Sequence, residues 1–212
     1  MKKLTAVLMA LTLICLAAAA SAMTVIKPNA SDTLKALLGG KTYNARISGW
    51  GSIGEDEDAK FTVMITVSEE DRFDAAVIEN LQVHDAIIFG NGMSAVISEI
   101  TPDEAGTGFL VKGSNYDAYS FYKLEDGSYA AKMENDYPFW TDVFTVEVPL
   151  EKDVKFLDWS NPENLDAPVE LGFDELLDRL IDGTDFAAYN TQVTFDENGK
   201  LVELLYSYSP WN

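Results

Sequence analysis

The sequence predicts a mainly β fold, an antiparallel barrel or sandwich with one or two short helices. Three observations lead there. Phe61, Val63, Ile65 and Val67 alternate with Thr62, Met64 and Thr66, the signature of a half-buried strand. Turn residues recur about every 8–12 positions through the middle of the chain. The last stretch, residues 189–210, reads as a hairpin about Asn198-Gly199.

Taken in order, the chain opens Met1-Lys2-Lys3, runs apolar over residues 4–16 and ends this run in Ala20-Ser21-Ala22. Charged start, short apolar core and small-residue site are the three parts of a secretory signal peptide, so residues 1–22 are expected to be removed. The run decays into Ala and Ser before reaching the ~20 apolar residues of a membrane span. Cys15 follows Ile14, where a lipidation signal wants a small residue; simple cleavage is therefore expected. Residues 23–212 are left as a single exported domain, secreted or held at the cell envelope. The lone cysteine departs with the leader, which excludes disulfides, thiol nucleophiles and thiolate metal sites from what remains. Losing Lys2 and Lys3 also takes the net charge from −20 to −22. Such a field disfavours nucleic acid and anionic membranes as partners.

Ser31 or Asp32 is placed to cap a short helix over 33–38, ended by Gly39-Gly40. Residues 42–50 pair with the 61–67 strand across the acidic, glycine-rich connection 51–58. Residues 72–81 fit either helix or strand. Strands follow at 86–89 and 93–100 about Gly90-Asn91-Gly92, then at 108–111, at 118–124 and 128–133 about Asp126-Gly127, and at 141–148 and 154–157. Residues 159–168, with two prolines, mark a candidate subdomain seam. Phe173, Leu176, Leu177 and Leu180 define an amphipathic helix that stops at Gly183. In the closing hairpin a type I′ tip at Asn198-Gly199 makes facing residue numbers sum to 397. One face then holds Tyr189, Thr191, Val193 and Phe195 against Val202, Leu204, Tyr206 and Tyr208. Leu201 falls on the other face, and Glu197 stands beside Lys200 as a cross-strand pair. The sorting argues for a loop of two or four residues.

Leu81-Gln82-Val83-His84-Asp85-Ala86-Ile87-Ile88-Phe89, with Asn91-Gly92 and residues 96–100, resembles the turn into strand of small SH3-like and OB-like barrels. His84 occupies the place of the glycine in their Gly-Asp pair. The leader, the β-rich middle and the ending Tyr208-Ser209-Pro210-Trp211 together resemble uncharacterised exported bacterial proteins. That resemblance implies no activity and transfers no functional residue.

Motif by motif, the usual chemistries fall away. Gly49-Trp50-Gly51-Ser52-Ile53-Gly54 spells a dinucleotide fingerprint, yet Glu55-Asp56-Glu57-Asp58 follow where amides must meet a pyrophosphate. Ser52 has Trp50 where a nucleophile elbow needs glycine. His84 is the only histidine, too few for the common zinc sites, and reads as a turn residue. The acidic run 55–58 and Asp196-Glu197-Asn198-Gly199 lack the ligand spacing of a calcium loop and read as solvated turns. No catalytic residue, metal ligand or cofactor site is assigned. An aromatic group remains: Tyr116, Tyr119, Phe121, Tyr122, Tyr137, Phe139 and Trp140. Most of these serve a core; Tyr122, Tyr137 and Trp140 are the candidates for recognition. The expected function is a non-catalytic module binding a protein or glycan at the cell envelope. Two alternatives are a carboxylate-based polysaccharide hydrolase and a structural or accessory exported domain.

Overall fold

The computed structural model describes residues 24–26, 36–54, 59–103, 107–114, 117–163 and 166–209. The expected leader, the helix cap at 31–32, the acidic run 55–58, Tyr116 and the chain's last three residues lie outside them. The fold is mainly β, as the sequence predicts, with two sheets, one of them a half-barrel.

Strands β1 (Thr24–Ile26), β2 (Thr42–Ile53) and β3 (Lys60–Glu70) come first, with helical residues 36–38 before β2. The chain then leaves for a second sheet built from β4 (Arg72–Phe73), β5 (Ala86–Ile88), β6 (Ser94–Pro102), β7 (Gly108–Gly113), β8 (Ala118–Lys123) and β9 (Tyr129–Met133). Helix α1 (Ala75–Ile78) lies between β4 and β5, capped by Asp74, whose side chain accepts from the Ala76 amide; it resolves the ambiguity of 72–81. Strands β10 (Trp140–Leu150), β11 (Lys155–Trp159) and β12 (Val169–Leu171) return to the first sheet. Helix α2 (Phe173–Ile181) and the hairpin β13 (Thr191–Phe195) and β14 (Leu201–Ser207) finish it.

The larger sheet runs β1-β10-β3-β2-β13-β14-β11-β12, and the smaller β4-β9-β8-β7-β6-β5. Pairing is antiparallel except for β1 with β10 and β11 with β14, which are parallel. The second exception follows from α2 and β13 carrying the chain back before β14 begins. Residues 159–168, expected as a seam, connect β11 to β12, and these two pair within one sheet, Phe156 opposite Leu171. Proline and asparagine there mark a surface turn; the sheets divide instead at Asp71 and Phe139.

Each sheet has its own core. Val63, Ile65, Val67, Phe144, Val146, Phe156, Val193 and Leu204 fill the larger, closed by Leu176 and Leu180 of α2. Phe173 at the start of α2 sets its ring against Phe61, 5.6 Å between centroids. Ile87, Phe89, Ile97, Val111, Tyr119, Phe121 and Phe139 fill the smaller.

The closing hairpin keeps the expected register from Thr191↔Tyr206 to Thr194↔Glu203 and departs from it at the tip. Asn198 is not in the left-handed region; Gly199 alone is, at φ 80°. The Gly199 amide reaches Asp196 O at 2.9 Å, and the Asp196 amide bonds Lys200 O at 2.9 Å, so the loop has three residues and not two. A turn closed by a glycine in the left-handed region is the common three-residue hairpin, and a separate bulge follows between Thr194 and Phe195. The bulge makes Val202 the extra residue, pairs Phe195 with Leu201, and brings Leu201 into the core. Glu197 does not pair with Lys200, whose Nζ binds Asp153 at 2.9 Å. The Asp196 carboxylate accepts from the Lys200 and Asn198 amides at 2.9 and 2.8 Å, which holds its carboxyl below the usual range.

His84 stands in the glycine place of the barrel resemblance, and its φ is 81°. The Asp85 amide donates to Gln82 O at 3.1 Å across it, and Gln82 N donates to Asp85 Oδ2 at 2.8 Å. The exposed imidazole makes no hydrogen bond or ion pair among the described residues that would offset the left-handed backbone. His84→Gly is therefore expected to stabilise the protein by about 0.5–1 kcal/mol. A urea midpoint that stays put or falls contradicts this.

Candidate binding groove at a fork in the sheet

β2 and β3 form a ladder from Ile53↔Lys60 to Ala45↔Val67, where it stops although both strands continue. Beyond that point β2 follows β13, with residues 42–44 opposite 192–194, while β3 follows β10, with Ser68 opposite Asp142 and Glu70 opposite Trp140. The divergence has a local cause. β10 carries a register shift between Asp142 and Phe144, beside Val67 and Ser68, and a bulge bends the strands it joins. Asp142 then pins the apex, accepting from Arg46 Nη2 and from Ser68 Oγ at 2.8 Å each. Between the two arms opens a groove of about 550 Å³ walled by residues 42–44 and 68–70, with Arg72 and Trp140 at its end.

Of the three aromatic candidates, the structure brings two to this place. Trp140 is the first residue of β10, half-buried, and lines the groove. Its indole Nε1 is shielded from solvent with no acceptor among the described residues. Tyr122, on β8, is half-buried and donates its hydroxyl to Glu70 Oε1 at 2.5 Å, while Lys132 Nζ lies 4.9 Å over its ring. Burial first, and the Glu70 contact second, push its phenol above the ordinary value, so it stays a donor. Glu70 is thus register partner of one candidate and acceptor of the other. Tyr137 is occupied elsewhere: its ring meets Tyr189 edge-on at 5.3 Å, and Tyr189 donates to Asp185 at 3.0 Å. Burial, then the charge of Asp185, raise the Tyr137 phenol. Tyr119, Phe121 and Phe139 are core residues.

The walls of the groove are polar, with Glu69 and Glu70 on one arm and Arg72 at its end. Arg46 is engaged by Asp142 and Arg72 by Asp126. Glu69 and Glu70 form no ion pair among the described residues. Sequence reasoning missed them, although Ser68-Glu69-Glu70-Asp71 is where the apolar alternation of β3 breaks off. On the far side of this segment a second cleft is lined by Phe73, Phe89 and Gly90. Its buried carboxylate, Asp71, is fully used: it accepts from the Gly90 amide and from Thr141 Oγ1 at 2.5 Å each. Through this carboxylate the loop after β5 of the smaller sheet is tied to β10 of the larger.

Elsewhere the carboxylates displaced from ordinary titration, Glu79, Glu99, Asp126, Asp153 and Asp196, are all displaced downward. A general acid needs the opposite shift. Gly49, Gly51 and Ser52 belong to β2, so the glycine fingerprint is strand and not a phosphate loop. Among the described residues no three His, Cys, Asp or Glu side chains group as a metal site. Comparison with models of protein families, with curated proteins and with solved structures finds no match to this chain.

Proposed function

We propose that this chain is an exported, non-catalytic binding module that engages a protein or glycan partner at the cell envelope through the forked groove. The observation that carries the reading is the fork itself. A mainly β scaffold opens one of its own ladders between β2 and β3, and a partly exposed tryptophan stands at the mouth beside carboxylates that form no ion pair among the described residues. Rigid strands on both sides hold such a site ready, which spares a ligand the ordering cost of a loop site. Trp140 supplies the aromatic surface on which recognition sites rely, and Tyr122 fixes Glu70 beside it.

The test is a glycan-array and pull-down screen of the chain purified as its host exports it, repeated with Trp140→Ala. Loss of at least about tenfold in affinity is expected from removing an aromatic anchor. Undiminished binding by the variant overturns the site, and turnover of a bound glycan overturns the non-catalytic reading.

A further inference from the structure

Resting on the binding reading, we infer the ligand class: an extended, basic peptide segment of a partner protein, which enters the fork and adds to the sheet as a strand. The direction of the backbone groups is the first argument. Lys41 O accepts from Phe195 N, and Ile47 N donates to Phe186 O, both at 2.9 Å, so odd-numbered residues of this arm face the β13 side. Alternation turns the amides and carbonyls of Thr42 and Asn44 toward the gap. On the other arm Asp71 N donates to Phe139 O at 2.8 Å on the β10 side. The same alternation turns Ser68 and Glu70 inward. No register pair joins 42–44 to 68–70, so each wall presents a short strand edge to whatever lies between. A strand edge is satisfied by another strand, and added peptides bind in this way through main-chain hydrogen bonds. A glycan carries no matching row of amides and carbonyls.

Charge is the second argument. Glu69 and Glu70 are consecutive, so they flank an inserted strand on its two faces, and neither has a cationic partner among the described residues. An alternating sequence with lysine or arginine at every second position meets one of them directly, and Trp140 stands at the same end for a cation to rest upon. The net charge, −20 over the full sequence and more negative without Lys2 and Lys3, draws such a peptide in and repels acidic competitors.

The experiment titrates the exported chain with a blocked peptide of about seven residues, long enough to span three-residue walls, alternating lysine and threonine. Two controls accompany it: the same peptide with glutamate for lysine, and one N-methylated at alternate amides to silence one edge. A neutral oligosaccharide set is titrated in parallel. Micromolar binding of the lysine peptide is expected, with about tenfold weakening for Glu69→Gln and for Glu70→Gln, and loss with both control peptides. Circular dichroism of the two variants checks that they remain folded. Equal binding of the N-methylated peptide overturns strand addition, and equal binding of the glutamate peptide overturns the charge assignment. Trp140-dependent binding of an oligosaccharide without the lysine peptide overturns this inference and leaves the binding module standing. Failure of peptide and oligosaccharide alike overturns both.

Discussion

Phe89→Ala is expected to destabilise the protein by about 4 kcal/mol, near the upper end for removal of a buried ring. Phe89 is 1% exposed and is the hub of the smaller core. Its ring stacks on Phe139 at 3.8 Å with 10° between planes, lies 5.0 Å from Tyr119, and meets Phe73 edge-on at 6.1 Å. Those neighbours sit on strands or strand ends, so the surrounding sheet has little freedom to collapse into the void. The residue also tethers the β5–β6 loop, with its amide donating to Met93 O at 2.8 Å. Urea unfolding followed by aromatic circular dichroism checks the value, and for a chain of this length the melting temperature should fall by roughly 10 °C. A loss under about 1 kcal/mol means that the cluster is loosely packed. A transition that splits in two, with only the first part displaced, means that the sheets unfold as separate units.

What could be read ahead of the structure was local. The alternation at 61–67 became the buried face of β3, and the apolar spacing at 173–180 became α2, because both patterns record which side of one element is buried. The closing hairpin shows where such reasoning thins out. Val193 opposite Leu204 follows from sorting apolar residues to one face, yet the tip escaped it. A three-residue turn followed by a bulge restores the same register four residues later, so the sorting cannot distinguish it from a tighter turn. Leu201 changed faces for that reason alone. The aromatic group divides on the same principle: Tyr119 and Phe121 alternate into the core while Tyr122, the next residue, emerges beside Glu70.

The fork was beyond reach because no segment contains it. It arises where β2 and β3 choose different partners, β13 and β10, which lie far along the chain from them, and no local period records that choice. Nor does composition reveal that residues 72–139 are an insertion with its own core. The proline-bearing stretch 159–168 looked more like a boundary than the junction at Asp71 and Phe139. That junction is compact precedent for neither rule: a buried acid on one side, a phenylalanine on the other, and a single backbone bond between them.

Gly90→Ala tests that junction and is expected to cost about 3 kcal/mol, the upper range for overpacking. The position does not require glycine for its φ; it requires the absence of a Cβ. A methyl group there overlaps Thr141 Oγ1 and Asp71 Oδ1 and comes within 2.7 Å of Thr141 Cβ. Neither obstacle can swing aside freely, because Thr141 Oγ1 donates to Asp71 and the Asp71 carboxylate also receives the Gly90 amide. Relief by rotation breaks the hydrogen bonds of a carboxylate that is only 6% exposed, and a buried charge left unpartnered adds its own penalty. Overlap and lost bonding are two routes to one rearrangement, so the cost should not add with that of Thr141→Ala. Removing the threonine hydroxyl clears the nearest obstacle while its Cβ and the Asp71 oxygen remain. The double variant should therefore lie about 1 kcal/mol nearer the wild type than the sum of the single changes. Strict additivity, or a Gly90→Ala variant as stable as the wild type, means that the two sheets are not joined through this contact.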